Sequence, residues 1–436
     1  MAKIQRNLFS WQDVDGLGDL KRLQLVLSVL PDEGLMRRLE SERGKGRDDY
    51  PVRAVWNSLL AGVVFEHASV ESLRRELLRN GQLRLLCGFD PVLGEDSVPS
   101  PSAYTRFLKR LLDSEELIQI MFDDLVTSLR EALPDFGRVL AVDGKAIGTH
   151  GRPRGEDRLV LEEDGRRDLD ADFGVKRSNK GTPYERVTKW FGYKLHLIVD
   201  AIHELPVAFD VTRASASEQP LARKLLEILD DAQPDLVQGC ESLLGDKGYE
   251  DTRLNRKAWE EYGIKVVVPV KALWQDPQEL RPVGDWTSVF YTQEGEVLCC
   301  CPETAAYRAM AYGGFEKTRS THKWRCPAKH YGYECAGMSK CPVGRALRIP
   351  LSEDPRVFTP LSRTHRDWNK LYAKRTSVER VNSRLDVSFG FERHFIRGWK
   401  KMWLRMGLAL IVMLAMALGR VKEKQRDKLR SLVQAA

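Results

Sequence analysis

A long apolar run is what this 436-residue sequence most clearly lacks. Its most apolar stretch, Leu404 to Leu418 (LRMGLALIVMLAMAL), falls short of the roughly 20 residues that span a bilayer and contains Arg405. It is therefore expected to be a buried core helix rather than a membrane anchor. The first twenty residues lack the apolar core of a secretory signal, so the expectation is a cytoplasmic, disulfide-free protein. Cysteine is scarce outside one window, since six of the eight lie between Cys299 and Cys341. A thiol cluster in a chain without an export signal points to metal ligation. No Cys-x2-Cys pairs occur there, which sets the cluster apart from an ordinary zinc ribbon. A large charge excess is missing too, with 69 Lys and Arg against 62 Asp and Glu. With 42% hydrophobic and 30% charged residues the chain is globular, not disordered, and its length calls for two or three domains.

What charge excess there is has a location. Residues 362–405 contain 12 Lys or Arg and 4 Asp or Glu, an imbalance as large as the net +7 of the whole chain. A polyanion such as DNA would be drawn to that segment. Residues 13 to about 133 carry apolar residues at helical spacing, as in Leu20 to Leu30, Val52 to Phe65 and Val70 to Leu78. Ser100 followed by Pro101 is a helix start, with the serine as N-cap. Arg74, Arg75, Arg106, Lys109 and Arg110 on these helices suit either a DNA-binding or dimerising module or a cap that merely packs on the core. From Arg138 the pattern turns to strands: RVLAVDGKAI, GYKLHLIVDA and PVAFDVTRAS, then a helix Glu218 to Leu229, a strand ending at Asp246, a helix Thr252 to Tyr262, and the strand IKVVVPV. The charged stretch Thr149 to Lys189 between the first two is expected to be a long loop or hairpin. Lys271 to about Pro360, rich in Gly, Pro, Cys and aromatics, is expected to form a separate insertion.

Three acidic residues carry the chemical signal. Asp143 (RVLAVDGKAIG) and Asp246 (SLLGDKGYED) close apolar strand patterns, and Glu379 (YAKRTSVERVNSR) lies in a helical one. Hard divalent cations take oxygen ligands, and two of them about 3.5 to 4 Å apart serve the attacking and leaving oxygens of phosphoryl transfer. Asp200 and Asp210 also sit at strand ends and are the competing candidates. On a helix, Tyr372, Arg375 and Glu379 share one face, with Arg380 and Arg384 on an adjacent stripe.

These residues resemble the DDE-type transposases of bacterial insertion sequences. The pattern Tyr-x2-Arg-x3-Glu-x6-Lys is matched by Tyr372, Arg375 and Glu379, with Asp386 in place of the final Lys and Arg384 two residues before it. The DKGY run from Asp246 to Tyr249, the stretch WFGYKLHLIVDAIHELPVAFDVTRASASE and the helical N-terminal region extend the likeness over most of the chain. The resemblance implies an α/β fold with an RNase H-like mixed sheet flanked by helices. It divides the chain into a helical N-terminal domain (1–135), the first part of the catalytic core (136–270), a Cys-rich insertion (271–360) and the C-terminal core helices (361–425). It implies a polynucleotidyl transferase or endonuclease that cleaves transposon ends and joins 3′-hydroxyls to target DNA. Asp143, Asp246 and Glu379 would hold two Mg²⁺ or Mn²⁺ ions. Lys145, Lys194, His196, Tyr372, Arg375, Arg380 and Arg384 would contact DNA phosphates. The protein would work as a homodimer or larger oligomer on double-stranded DNA, at the nucleoid, with no membrane involved. A nuclease without strand transfer, or a DNA-binding regulator with a vestigial site, are the alternatives; the three intact acids argue against the regulator.

Two further groups are weighed on the residues alone. Cys301, Cys326, Cys335 and Cys341 could hold a structural Zn²⁺, with Cys299 or Cys300 as substitutes in first place and His322 and His330 also within the window. Reduced thiols in a small core, or an iron–sulfur cluster, are the other readings. Trp190, Trp399 and Trp403 could stack on bases, although core packing is the more ordinary fate of a tryptophan.

Overall fold

The computed structural model describes residues 18–43, 49–153, 167–178, 183–271, 274, 276 and 278–430. Residues 1–17, most of the segment read for an export signal, lie outside that set, as does part of the charged stretch after Thr149.

The N-terminal part is a stack of helices: α1 (Lys21–Leu27), α2 (Glu33–Arg43), α3 (Val52–Val64), α4 (Val70–Arg79), α5 (Gly81–Cys87), α6 (Pro101–Leu112) and α7 (Glu115–Ala132). Their starts follow local chemistry. The Ser69 hydroxyl accepts from the Ser72 N–H in a reciprocal capping box, and Ser100 accepts from Ala103 N–H with Pro101 at the first helical position. Helix α3 is buried on almost every side, whereas α4 buries only Leu73 and Leu77. Asp32, itself buried, accepts from Trp56 Nε1 at 2.7 Å and from Arg53 at 2.5 Å, which locks the start of α2 to α3.

The main sheet comprises β1 (Val139–Gly148), β2 (Asp172–Ser178), β3 (Arg186–Asp200), β4 (Leu205–Arg213), β5 (Ser242–Gly245) and β6 (Lys265–Val267). Its body runs β4-β3-β1-β5-β6, the first three antiparallel and β1, β5 and β6 parallel. This is the RNase H-like mixed arrangement. The charged stretch after Thr149 supplies β2, which pairs with the first half of β3 and prolongs the sheet as a ribbon. Gly192 sits where β3 passes from β2 to β1; a Cβ there would lie 2.2 Å from the Ile147 carbonyl oxygen, so only glycine fits. Helices α8 (Glu218–Ala232), α9 (Pro234–Gly239) and α10 (Thr252–Glu260) make the parallel crossovers.

Between β6 and the final helices lies a unit with its own small core, formed by Trp274, Tyr291, Trp324, Ile349 and Phe358 among others. It holds a sheet of β7 (Arg281–Pro282), β8 (Val289–Tyr291), β9 (Val297–Cys300) and β10 (Tyr307–Ala309). A second sheet holds β11 (Ala311–Glu316), β12 (Thr321–Arg325) and β13 (Ala346–Pro350), with α11 (Pro327–Tyr331) between its last two strands. The chain then returns to the main core through α12 (Arg366–Ala373), α13 (Thr376–Phe389) and α14 (Trp399–Lys422).

Helix α14 contains the apolar run, and it is long and apolar enough to cross a bilayer, but 94% of its apolar window is buried inside the protein. It packs between α7 and β4 and against α1 and α3, so helices and sheet share one apolar core. Gly407 permits the close approach, with Ile118 and Phe209 3.4 Å from where its Cβ would be.

Candidate active site

The site begins with strand register. Parallel pairing of β1 with β5 ends at Val142 opposite Gly245, so Asp246 leaves β5 beside Asp143. Asp143 does not close its strand as its sequence pattern suggested but lies within β1, opposite Leu197 of β3, where β1 runs on past the end of β5. Neighbouring strands are about 4.8 Å apart. Asp246 caps a short 3₁₀ turn by accepting from Gly248 N–H at 2.7 Å. Asp143 is held by helix α13: Asn382 Nδ2 donates to its Oδ2 at 3.3 Å. Glu379 lies one turn before Asn382 on the same face, half exposed and paired with Arg375 at 2.8 Å. The Arg375 guanidinium is close enough to Asp143 for its charge to act there as well. Arg375 thus bridges the strand-borne and helix-borne acids electrostatically.

Burial pushes the Asp143 pKa up to about 6. The negative charge of Asp246 adds to this, against the hydrogen bond from Gly144 N–H and the charges of Lys176 and Arg375. A buried carboxylate beside a second one is a site that a cation stabilises. The Tyr249 hydroxyl, almost fully buried and without a hydrogen-bond partner, lies within the fields of Asp143, Glu218 and Asp246. The residues present therefore fit a bound divalent ion. Among the described residues, no three His, Cys, Asp or Glu side chains already stand at ion-binding spacing.

The rival acids are engaged elsewhere. Asp200 is fully buried at the other end of β3, accepting from Gly137 N–H (3.0 Å) and His203 N–H (2.6 Å). Asp210 pairs with Lys224 at 2.6 Å.

The basic residues divide. Tyr372 stacks on Trp368 at 4.9 Å and lies 5.7 Å beneath Arg375, so the two stand together at the mouth of the site. Lys145 is paired with Asp386 at 2.5 Å. Asp386, which stands where the motif has lysine, thus faces a lysine supplied by β1 instead. Lys194 is mostly buried, donating to Ala216 O (3.1 Å) and Glu218 Oε1 (3.3 Å). His196 is wholly buried with Nε2 on Thr212 Oγ1 at 2.9 Å; burial, and then the charges of Lys194 and Lys224, lower its pKa to about 3. Arg384 is turned inward onto the Glu204 carbonyl and carboxylate, and Arg380 reaches the same carboxylate at 2.7 Å from a half-exposed position. The phosphate-contact expectation is therefore corrected for His196 and Arg384. His196 is wholly buried in the sheet against Thr212, and the Arg384 guanidinium is taken by Glu204, so neither presents a free cation at the surface. Trp190 and Trp399 donate to backbone carbonyls of Tyr193 (3.0 Å) and Val211 (2.7 Å), and Trp403 packs on Phe209 at 5.5 Å between centroids.

Three residues of the site escaped the sequence reading: Asn382, Tyr249 and Glu218. The helical spacing of Asn382 from Glu379 was available as a signal, and so was the Tyr249 position inside DKGY. Glu218 is the last residue of the family-like stretch ending ASASE and opens a helix, and that was the signal available for it.

The thiols converge. Cys299, Cys300, Cys301, Cys326, Cys335 and Cys341 all line one cavity in the insertion. The sulfurs of Cys301 and Cys335 are 4.0 Å apart, while Cys300 Sγ turns to the Cys301 carbonyl. His322 has both nitrogens engaged, by Tyr312 Oη (3.1 Å) and Thr359 O (2.7 Å).

Sheet order and the neighbouring acids on the two central parallel strands place the chain among RNase H-like α/β proteins. A family model described as "Transposase DDE domain" matches residues 134–415, and one described as "Transposase domain" matches residues 14–110. The chain therefore belongs to the DDE transposase family, enzymes that act as DNA transposases and generally use divalent metal ions. No curated protein matches it. A solved structure described as a cryo-EM structure of "piggyBac transposase synaptic complex with hairpin DNA" aligns over 98% of this chain and 80% of that one, at 11% identity and a TM-score of 0.40.

Proposed function

We propose that this transposase cleaves the ends of its own element and joins the exposed 3′-hydroxyls to double-stranded target DNA. Asp143, Asp246 and Glu379 would hold two Mg²⁺ or Mn²⁺ ions. The observation that carries this reading is that Asp143, within β1, and Asp246, at the end of the adjacent parallel strand β5, stand side by side, with the Glu379 helix tied to Asp143 through Asn382. When bound, such ions ease deprotonation of a water or 3′-hydroxyl and neutralise the leaving oxygen. The chain's own contribution is positional. Asn382 orients the Asp143 carboxylate, the Asp246 cap on Gly248 fixes the second acid, and Arg375 is free to exchange Glu379 for a phosphate once a cation takes over the carboxylate. Tyr372 and the half-exposed Arg380 extend that basic surface.

The protein would act as an oligomer on paired ends, in the cytoplasm beside the nucleoid. The test is end cleavage by Asp143→Ala, Asp246→Ala and Glu379→Ala in Mg²⁺, with DNA binding followed by fluorescence anisotropy. Each variant should lose cleavage by more than about a thousandfold and keep its affinity, because the acids serve the chemical step. Wild-type cleavage by any one of them removes that residue from the site. Joined products distinguish transposition from simple hydrolysis.

A structural zinc in the insertion is part of the same proposal, held by Cys301, Cys326, Cys335 and Cys341. Four thiolates at about 2.3 Å from a tetrahedral ion stand about 3.8 Å from each other, close to the observed Cys301–Cys335 separation. The backbone N–H groups of Glu303 and Thr304 point at Cys301 Sγ, and that of Gly337 at Cys335 Sγ, which is how turns orient thiolate ligands.

A further inference from the structure

Beside Asp246 stands a carboxylate that the three-acid pattern does not include. Glu218 opens α8 and is about one-third exposed, so solvent ions reach it. Two glycines make room for it. A Cβ on Gly248 would lie 2.6 Å from Glu218 Oε2 and 2.8 Å from Asp246 Oδ1, so the two carboxylates face each other across the bare glycine. A Cβ on Gly144, next to Asp143, would meet Glu218 Oε1 at 3.5 Å and Tyr249 Oη at 3.3 Å. Into the same space projects the Tyr249 hydroxyl, almost wholly buried and unpartnered although three carboxylates surround it. A buried hydroxyl without a partner is costly unless something absent from the bare protein satisfies it, such as a water in an ion's hydration shell. The only cation on Glu218 among the described residues is Lys194, at 3.3 Å, a loose pair that engages one of its two oxygens.

We propose that Glu218 is a fourth carboxylate of the metal centre, sharing with Asp246 the divalent ion nearer to β5, and that Tyr249 donates to a water on that ion. Hard cations such as Mg²⁺ or Mn²⁺ take six oxygen ligands, and an ion held by Asp143 and Asp246 alone would leave the α8 side of its shell open. Glu218 closes that side, on the opposite flank from Glu379. A side chain at Gly248 would push the two carboxylates apart, and one at Gly144 would crowd Lys194 and the Tyr249 hydroxyl.

The inference rests on Asp143 and Asp246 being cation ligands, so both are measured together. Mn²⁺ binding to the full-length protein without DNA is followed by electron paramagnetic resonance, for wild type, Glu218→Gln, Lys194→Met and Asp246→Asn, alongside thermal melts without metal. Glu218→Gln keeps the shape and a hydrogen bond to Lys194 but removes the charge. It should weaken Mn²⁺ binding at least tenfold with a metal-free melting temperature no lower than wild type. Lys194→Met releases Glu218 and should keep or tighten Mn²⁺ binding. If Glu218 served only to anchor Lys194, the two variants would lower the melting temperature alike and leave Mn²⁺ affinity unchanged, which overturns the proposal. Loss of binding in Asp246→Asn with full retention in Glu218→Gln sinks the fourth ligand alone, whereas no Mn²⁺ binding by wild type removes the metal reading beneath it.

Discussion

His196 shows how far a single position can depart from its sequence context. Flanked by Lys194 and the strand that follows Trp190, it reads as a cation at a DNA surface. In the fold it is the inward residue opposite Gly144 and Asp210, and it stays neutral. The unfolded chain protonates it near pH 6.5, while the folded one refuses the proton until about pH 3. Its contribution to stability is therefore complete above pH 6.5 and declines as the pH falls toward 3. Between pH 7 and pH 5 the loss should be about 2 kcal/mol, read by urea melts, and His196→Gln should flatten that part of the profile. Arg384 makes the same point with the opposite charge. Glu204, buried in the β3–β4 turn at φ +60°, collects Arg380, Arg384 and Arg430. Arg384→Ala should cost about 3 kcal/mol by stripping the buried partner from that carboxylate, and leave DNA affinity within twofold. Sequence patterning ranks arginines by helix stripe, and it had no means of showing that the acid on the other side of one stripe comes from a turn 180 residues earlier in the chain.

Secondary structure was legible where periodicity and caps agree. The strand-strand-strand-helix-strand-helix-strand order, the Ser100–Pro101 helix start and the apolar α14 all follow from local pattern. The hairpin alternative for the stretch Thr149 to Lys189 is realised by β2 and the start of β3, but the bounds of β2 were not legible because its residues are charged and Gly-punctuated and it pairs only with the half of β3 that leaves the core. Helix α14 joins the N-terminal helices to the sheet, so Leu410→Ala should destabilise both together, by about 2–5 kcal/mol in one cooperative melt. Two separate transitions would show that the helical region folds independently. The insertion offers a second test. Its core is small and its thiols are gathered, so elemental analysis should find about one zinc per chain. Cys326→Ser and Cys341→Ser should each lower zinc content and melting temperature together. Metal-free protein of undiminished stability would leave the thiols as packing.

Over the molecule as a whole, much of the positive excess at residues 362–405 is spent internally. Arg363 donates to Val268 O and Val357 O, Arg405 lies over Phe391, and Arg384 is buried. The outward remainder includes Lys370, Lys374, Lys400 and Lys401, all exposed. Neutralising these four should weaken DNA binding regardless of sequence. It should also reduce the slope of log affinity against log salt by about 0.9 for each phosphate that the protein then leaves unneutralised, measured by anisotropy titrations. An unchanged slope would place the DNA path elsewhere. The amino-acid sequence alone carried the likeness to the transposase family, the order of the core elements and the three acids proposed as ligands, because residue alternation, helical spacing and short motifs are local properties of the chain. Which basic residues face outward, which acid closes on Asp246 from α8, and which sulfurs meet was decided only by the tertiary structure. Those relations join residues far apart in sequence, and a side chain's charge has no direction until packing sets which face is buried.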